Sequence, residues 1–149
     1  MRRQFLNIVT LILVLLCSQI QVYSTPQSLR EQIDEGYALL NHDPEAAFEI
    51  AQTVEQNALE TDEKEAEMWA LITLCVYYQK KIDFENLVTT ANRMYDRAVS
   101  TKMPKYQAIA KYYLFESYLF NKLPEKAISH LNEGMQVVNR INDTEVNSL

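Results

Sequence analysis

Apolar residues recur along this chain at intervals of three and four, the spacing that places them on one face of an α-helix. Polar and apolar residues nowhere alternate for long enough to indicate a strand. The pattern predicts six helices, at about 26–41, 43–59, 63–80, 83–100, 104–121 and 124–140. We therefore expect an all-α fold.

One pattern in this series occurs three times. The stretches DPEAAFEIA, DFENLVTTA and LPEKAISHL each begin a helix, and Glu45, Glu85 and Glu125 follow one another at an interval of 40 residues. Periods of 20–50 residues are the signature of stacked repeats. The constant interval favours a solenoid of about six antiparallel helices over an ordinary six-helix bundle. Its three hairpins are expected at about 26–59, 63–100 and 104–140.

The second helix of each hairpin has the clearest start and the clearest apolar stripe. Asp43 and Asp83 stand at expected N-cap positions, and Pro44 at a first helical position, where its missing N–H costs nothing. The stripes predicted to face the core are Ala47, Ile50, Ala51, Val54 and Ala58, then Leu87, Ala91, Met94, Tyr95 and Ala98, then Ala127, Leu131, Gly134, Met135 and Val138.

A hairpin with large residues on its first helix and a small residue early on its second resembles the tetratricopeptide repeat (TPR). The positions that match the family's motif are Leu114, Tyr118, Ala127, Leu131 and Gly134 in the third hairpin, Leu71, Leu74, Tyr78, Leu87, Ala91 and Met94 in the second, and Asp34, Ala38, Ala47, Ala51 and Val54 in the first. The resemblance covers about 115 residues, with a period of 40 instead of the usual 34.

The resemblance also implies where a partner binds, because one face of each first helix lines a concave groove in this family. The matching positions are Trp69, Ile72, Val76, Gln79 and Lys80 in the second hairpin and Ile109, Tyr112, Glu116, Leu119 and Phe120 in the third. Apolar patches mark contact surfaces, and Trp and Tyr often anchor interfaces. The alternative for each side chain is burial within the stack.

The resemblance thus implies a scaffold that binds a protein or peptide. The alternative function is the sensory repeat portion of a bacterial envelope signalling or transcription-regulatory protein whose output domain is not in this chain. No helix pattern follows the third hairpin to cover it. We therefore also expect a homodimer through this uncapped hairpin, unless another partner covers it or the natural reading frame continues.

The N-terminal residues have the layout of a secretory signal. Arg2 and Arg3 precede an apolar run at 5–17, and cleavage is predicted after Ser24. The run is shorter than the roughly 20 residues that span a bilayer as a helix, although a retained anchor and a lipid on Cys17 are the alternatives. We expect a Sec-type signal at 1–24, a repeat domain at 25–141 and a polar tail at 142–149, in a protein of the periplasm or cell envelope or a secreted one.

Charge argues against some partners. The formal net charge is −6, and it becomes −8 once the two arginines of the signal are removed. Nucleic acid requires a basic surface, so it is not an expected partner, and no stable membrane span is expected after cleavage.

The residues that carry enzyme chemistry are scarce. With 2 glycines in the chain no phosphate-binding loop is expected, and there is no nucleophile elbow. Cys75 is expected to be a buried apolar residue, and His42 and His130 to be solvated, which is too few ligands for zinc. The acidic run at 60–67 indicates a helix start capped by Asp62. We predict neither an enzyme nor a cofactor or metal.

Overall fold

The computed structural model describes residues 28–146, with side chains described for 28–142. Its helices are α1 Leu29–Leu39, α2 Pro44–Thr61, α3 Lys64–Lys80, α4 Phe84–Ser100, α5 Pro104–Phe120 and α6 Pro124–Val146. The predicted all-α fold is confirmed, and the described part of the chain has no strand. The predicted signal peptide lies outside the described residues, and α6 extends into the segment predicted as a polar tail.

The helices form three consecutive hairpins, α1–α2, α3–α4 and α5–α6, in a repeat-like stack. Each helix packs on its neighbours in the chain, and the first helices of successive hairpins also contact one another, α1 with α3 and α3 with α5. The backbones of α2 and α4 are further apart and are joined by long side chains, such as the ion pair between Arg93 and Glu55. The first helices therefore form the inner side of the stack.

Local capping explains where the second helices begin. The Asp43 carboxylate accepts a hydrogen bond from Ala46 N at 3.1 Å, and the Asp83 carboxylate accepts one from Asn86 N at 3.2 Å. Both predicted N-caps are confirmed. The cap predicted at Asp62 is wrong, because that residue follows α2 with a left-handed backbone (φ 55°). It forms the turn between two hairpins instead of the start of α3.

The turns repeat as regularly as the helices. Left-handed residues occur at intervals of 20, namely Asp62, Ile82, Lys102 and Lys122, with φ of 55–59°. Glycine usually occupies such positions because other residues are strained there. The equal turns between α2 and α6 give each helix-plus-turn the same length, and two such units make the observed period of 40 residues.

The first hairpin departs from this regularity, which corrects one prediction. The turn between α1 and α2 has one residue more than the turn between α3 and α4. Asp34 and Ala38, assigned above to motif positions, are exposed. Ile33, with 8% of its surface exposed, packs on the core of the first hairpin instead. The extra turn residue shifts the equivalent positions by one, so Ile33 and Tyr37 take the places of Leu74 and Tyr78.

The core consists of two clusters, one among α1, α2 and α3 and the other among α3, α4 and α5. The stripes predicted for α2 and α4 are buried except for the half-buried Ile50 and Tyr95. Cys75 is fully buried, as predicted, and burial raises the pKa of its thiol. No helix within residues 28–146 is both long and apolar enough to cross a membrane.

The stripe predicted for α6 is only partly in the core. Ala127 and Gly134 are buried, and an ideal Cβ at Gly134 would stand 3.1 Å from the Cβ of Lys111. The other three stripe residues are exposed, Leu131 at 38%, Met135 at 57% and Val138 at 44%. Their prediction as core residues is wrong because, within the described residues, α6 packs only on α5.

Candidate functional site: the inner face of the stack

A shallow pocket lies on the inner face between α1 and α3. Its walls are Arg30, Ile33, Asp34, Tyr37 and Trp69, and its volume is about 300 Å³. The rings of Tyr37 and Trp69 meet edge to face, with centroids 6.4 Å apart, a favourable aromatic geometry. Trp69 also packs on both core clusters. The indole is therefore held in place while part of its surface stays open to the pocket.

The side chains at the mouth of the pocket are polar. Arg30 Nε lies 3.2 Å from Asp34 Oδ2, and both side chains are more than half exposed. An exposed i,i+4 pair of this kind adds little to stability. Both groups are consequently free to exchange this contact for one with a bound molecule.

A polar network lies further along the inner face and joins α3 to α5. Gln79 Nε2 donates to Glu116 Oε2 at 2.5 Å, and the Tyr112 hydroxyl donates to Glu116 Oε1 at 2.7 Å. The hydrogen bond to Glu116, and to a lesser extent burial, raises the pKa of Tyr112. One carboxylate is thus held between two donors on neighbouring hairpins.

The remaining groove positions divide between core and surface. Ile72 is 8% exposed and belongs to the core, and Val76 and Ile109 are partly buried against it. Lys80 is exposed, and its ammonium donates to Asn41 Oδ1 at 2.8 Å. Phe120, 61% exposed, stacks on Phe84 with centroids 5.1 Å apart.

Of the ten groove positions assigned by the resemblance, the structure brings together Gln79, Tyr112 and Glu116. Trp69 lies instead with residues of α1 that the sequence did not assign to the groove. Leu119, 48% exposed, lies on the outer side of α5 and contacts neither group. These placements define an aromatic pocket on the first two hairpins and a polar network on the second and third.

The pocket residues of α1 were missed because the first hairpin was aligned one residue out of register. The signal that could have found them is the spacing of four between Ile33 and Tyr37, which matches the spacing between Leu74 and Tyr78. Recognising it would have required an extra residue in the first turn.

The acidic run at 60–67 has a structural role that the sequence did not reveal. Glu67 is 3% exposed, and its carboxylate lies 2.7 Å from Arg97 Nε on α4. The Glu65 carboxylate accepts a hydrogen bond from the Tyr106 hydroxyl on α5. Burial, followed by that hydrogen bond, raises the pKa of Tyr106. The run therefore ties three helices together.

His42 is exposed, as predicted, but His130 is not the solvated residue expected. Its ring stacks on Tyr118 at a centroid distance of 5.2 Å. Partial burial and the nearby Lys111 ammonium lower the pKa of His130, against the opposing effect of Glu133. No group of three or more His, Cys, Asp or Glu side chains within the described residues is arranged to hold a metal ion.

Comparisons of the chain with protein families, curated proteins and solved structures find no match. The fold and the residues of the inner face are therefore the observations that bear on function.

Proposed function

We propose that this chain is an exported, non-catalytic helical-repeat protein of the TPR type that binds a protein or peptide segment along its inner face. The observation that carries the proposal is the pocket formed by Tyr37 and Trp69. Pockets that combine a rigid aromatic surface with a few polar groups are typical binding sites. The layout of residues 1–24 supports export.

The pocket suits a partner segment with an exposed apolar or aromatic residue. That residue would rest on the open face of Trp69 and release water from both surfaces, which provides the main driving force. The Arg30–Asp34 pair at the mouth offers a donor and an acceptor to the partner's backbone. The network of Gln79, Tyr112 and Glu116 offers further polar contacts about one hairpin away, which favours an extended or helical segment over a compact small molecule.

The positions of many ionisable side chains support a non-catalytic function. Glu67 and Arg97 pair with each other, Lys111 pairs with Glu133, and the Cys75 thiol is buried. These groups are engaged in packing or ion pairs between helices. A reactive centre instead needs an accessible group beside a second group that activates it.

The proposal can be tested with a peptide display library selected on the full chain. Trp69 is the single tryptophan, so its fluorescence should shift when a selected peptide binds. The variant Tyr37→Ala should weaken binding by about tenfold or more, because Tyr37 forms one wall of the pocket. The control Leu59→Ala changes an apolar residue on α2 that is 51% exposed and should leave binding unchanged. Selected peptides that bind both variants equally, without a change in fluorescence, would contradict the proposal.

A further inference from the structure

The outer side of the third hairpin carries an apolar surface that we call the end face. It consists of Ala108, Tyr112, Leu119, Leu131, Met135 and Val138. Most of these side chains are exposed, Tyr112 at 49%, Leu119 at 48%, Leu131 at 38%, Met135 at 57% and Val138 at 44%. Within the described residues no helix packs on this side of α5 and α6.

The repeat shows what a surface at these positions normally does. The residues 40 positions earlier include Met68, Ile72, Ala91 and Ala98, all at most 8% exposed. They belong to the core cluster that joins the second hairpin to α5. The end face is therefore the third occurrence of the surface on which the next hairpin packs, with the same apolar character and no hairpin on it.

The end face has the chemistry that self-association requires. Its central depression, of about 240 Å³, is lined by residues that include Ala108, Tyr112, Gly134 and Met135, and none of its lining residues is Asp, Glu, Lys or Arg. In a two-fold interface each residue near the axis meets its own copy, so a charge there would repel itself. Cavities of about 150 Å³ hold benzene, so the depression has room for a large side chain such as the adjacent Met135.

The opposite end of the stack does not match the end face. The exposed side of α1 carries Arg30, Glu31, Asp34 and Glu35. An apolar surface placed against these charges would leave them without water. Copies arranged head to tail would make that contact, whereas copies paired end face to end face would not.

We propose that two copies of this chain associate through their end faces around a two-fold axis. Each end face then covers the other, as the third hairpin covers the second within one chain. Met135 of one copy enters the depression beside Gly134 of the other. The two inner faces remain open, with Tyr112 at the edge between the inner face and the end face.

Sedimentation velocity of the full chain between about 1 and 100 µM, a range suited to micromolar association, tests this proposal. We expect a dimer whose dissociation constant rises on the order of 100-fold in Val138→Glu, because an unpaired carboxylate would be buried. Val99→Glu is the matched control, since Val99 is 47% exposed and Val138 is 44% exposed. A chain that stays monomeric throughout, or a dimer that survives Val138→Glu, would overturn the proposal.

Cross-linking distinguishes the two-fold arrangement from other forms of association. Met135→Cys treated with a short bis-maleimide should give covalent dimers and no larger species, because a two-fold pairing closes on itself. Val99→Cys should give none. A ladder of higher species would contradict the two-fold pairing. The pocket at Trp69 is not part of the end face, so failure of this proposal would leave the proposed peptide binding untouched.

Discussion

The second and third hairpins are built alike and end differently. Their first helices, α3 and α5, both have 17 residues, and their turns place Ile82 and Lys122 in the same left-handed conformation. Yet Ala98 in the second hairpin is fully buried, and its counterpart Val138 in the third is 44% exposed. The difference lies in what packs on each hairpin.

The comparison shows that in a stack the core belongs to pairs of hairpins and not to single ones. The second hairpin contributes small residues, such as Ala91 and Ala98, where α5 approaches closely. The third presents the larger Leu131 and Val138 at the same positions. Larger residues suit a surface that another chain covers at a greater distance, which agrees with a contact between copies.

The same substitution in both hairpins should have very different effects on stability. Met94 is fully buried and Met135 is 57% exposed. Met94→Ala should lower the free energy of unfolding by about 2–5 kcal/mol, the usual effect of such a cavity. Met135→Ala should change it by about 0.5 kcal/mol or less in the monomer. Urea unfolding followed by circular dichroism at low protein concentration measures both, and equal losses would contradict the assignment of an open end face.

Exchanging residues between equivalent positions sharpens the comparison. Ala91→Leu places the residue of the third hairpin into the covered position and should cost about 1–3 kcal/mol through overpacking. The reverse change, Leu131→Ala, removes a partly exposed side chain and should cost less than about 1 kcal/mol in the monomer. Thermal unfolding compares the two variants, and a tolerated Ala91→Leu would mean that α5 packs less closely than the structure indicates.

The turns should respond alike in both hairpins, in contrast to the faces. A left-handed backbone costs a non-glycine residue roughly 1–2 kcal/mol, partly offset by the greater freedom of glycine in the unfolded chain. Ile82→Gly should therefore stabilise the protein by about 0.5–1 kcal/mol, and Lys122→Gly by less, since a β-branched residue is the more strained. Chemical denaturation tests this, and a loss of stability in both variants would contradict the turn conformation.

The smallest expected effect concerns a charge that the second hairpin lacks. Leu71 there corresponds to Lys111, whose ammonium lies 2.6 Å from Glu133 Oε2. This hydrogen bond holds the pKa of Glu133 below its ordinary value of 4.5. Because the folded pKa is lowered, the carboxylate contributes stability above about pH 4.5 that is lost as the pH falls through the folded pKa.

Lys111→Leu should accordingly weaken the loss of stability between about pH 5 and pH 3. The effect should stay under about 1 kcal/mol, since Glu133 is 44% exposed and solvent screens the pair. Lys105→Leu, which removes an exposed lysine from the same helix, should leave the slope unchanged. An equally steep acid transition in both variants would refute the contribution of this pair.

Much of the fold could be predicted because the repeat is written in the sequence. The acidic residue and the apolar spacing at Glu45, Glu85 and Glu125 located every second helix. Small residues at regular intervals then indicated hairpins in a stack. Local capping by Asp43 and Asp83 set two helix starts, because it depends only on neighbouring residues.

What could not be predicted depends on contacts between distant residues or on turn geometry. One extra residue before α2 shifted the register of α1 and hid Tyr37 from the groove. The burial of Ile72 depends on α5, and the exposure of Met135 depends on the lack of a covering helix among the described residues. A stripe of apolar residues shows which face of a helix avoids water, but not what covers it.

The central claim is that positions 40 residues apart are equivalent, covered within the chain in the second hairpin and covered only by another copy in the third. The rate at which an introduced cysteine reacts with a thiol reagent measures this directly. The variants Ala98→Cys and Val138→Cys can be compared at several protein concentrations, with the unsubstituted chain as background.

We predict that Cys at position 98 reacts slowly at every concentration, since that position is fully buried. Cys at position 138 should react rapidly in dilute solution and become protected as the protein concentration rises. Rapid reaction at position 98, or a rate at position 138 that does not depend on concentration, would contradict the account.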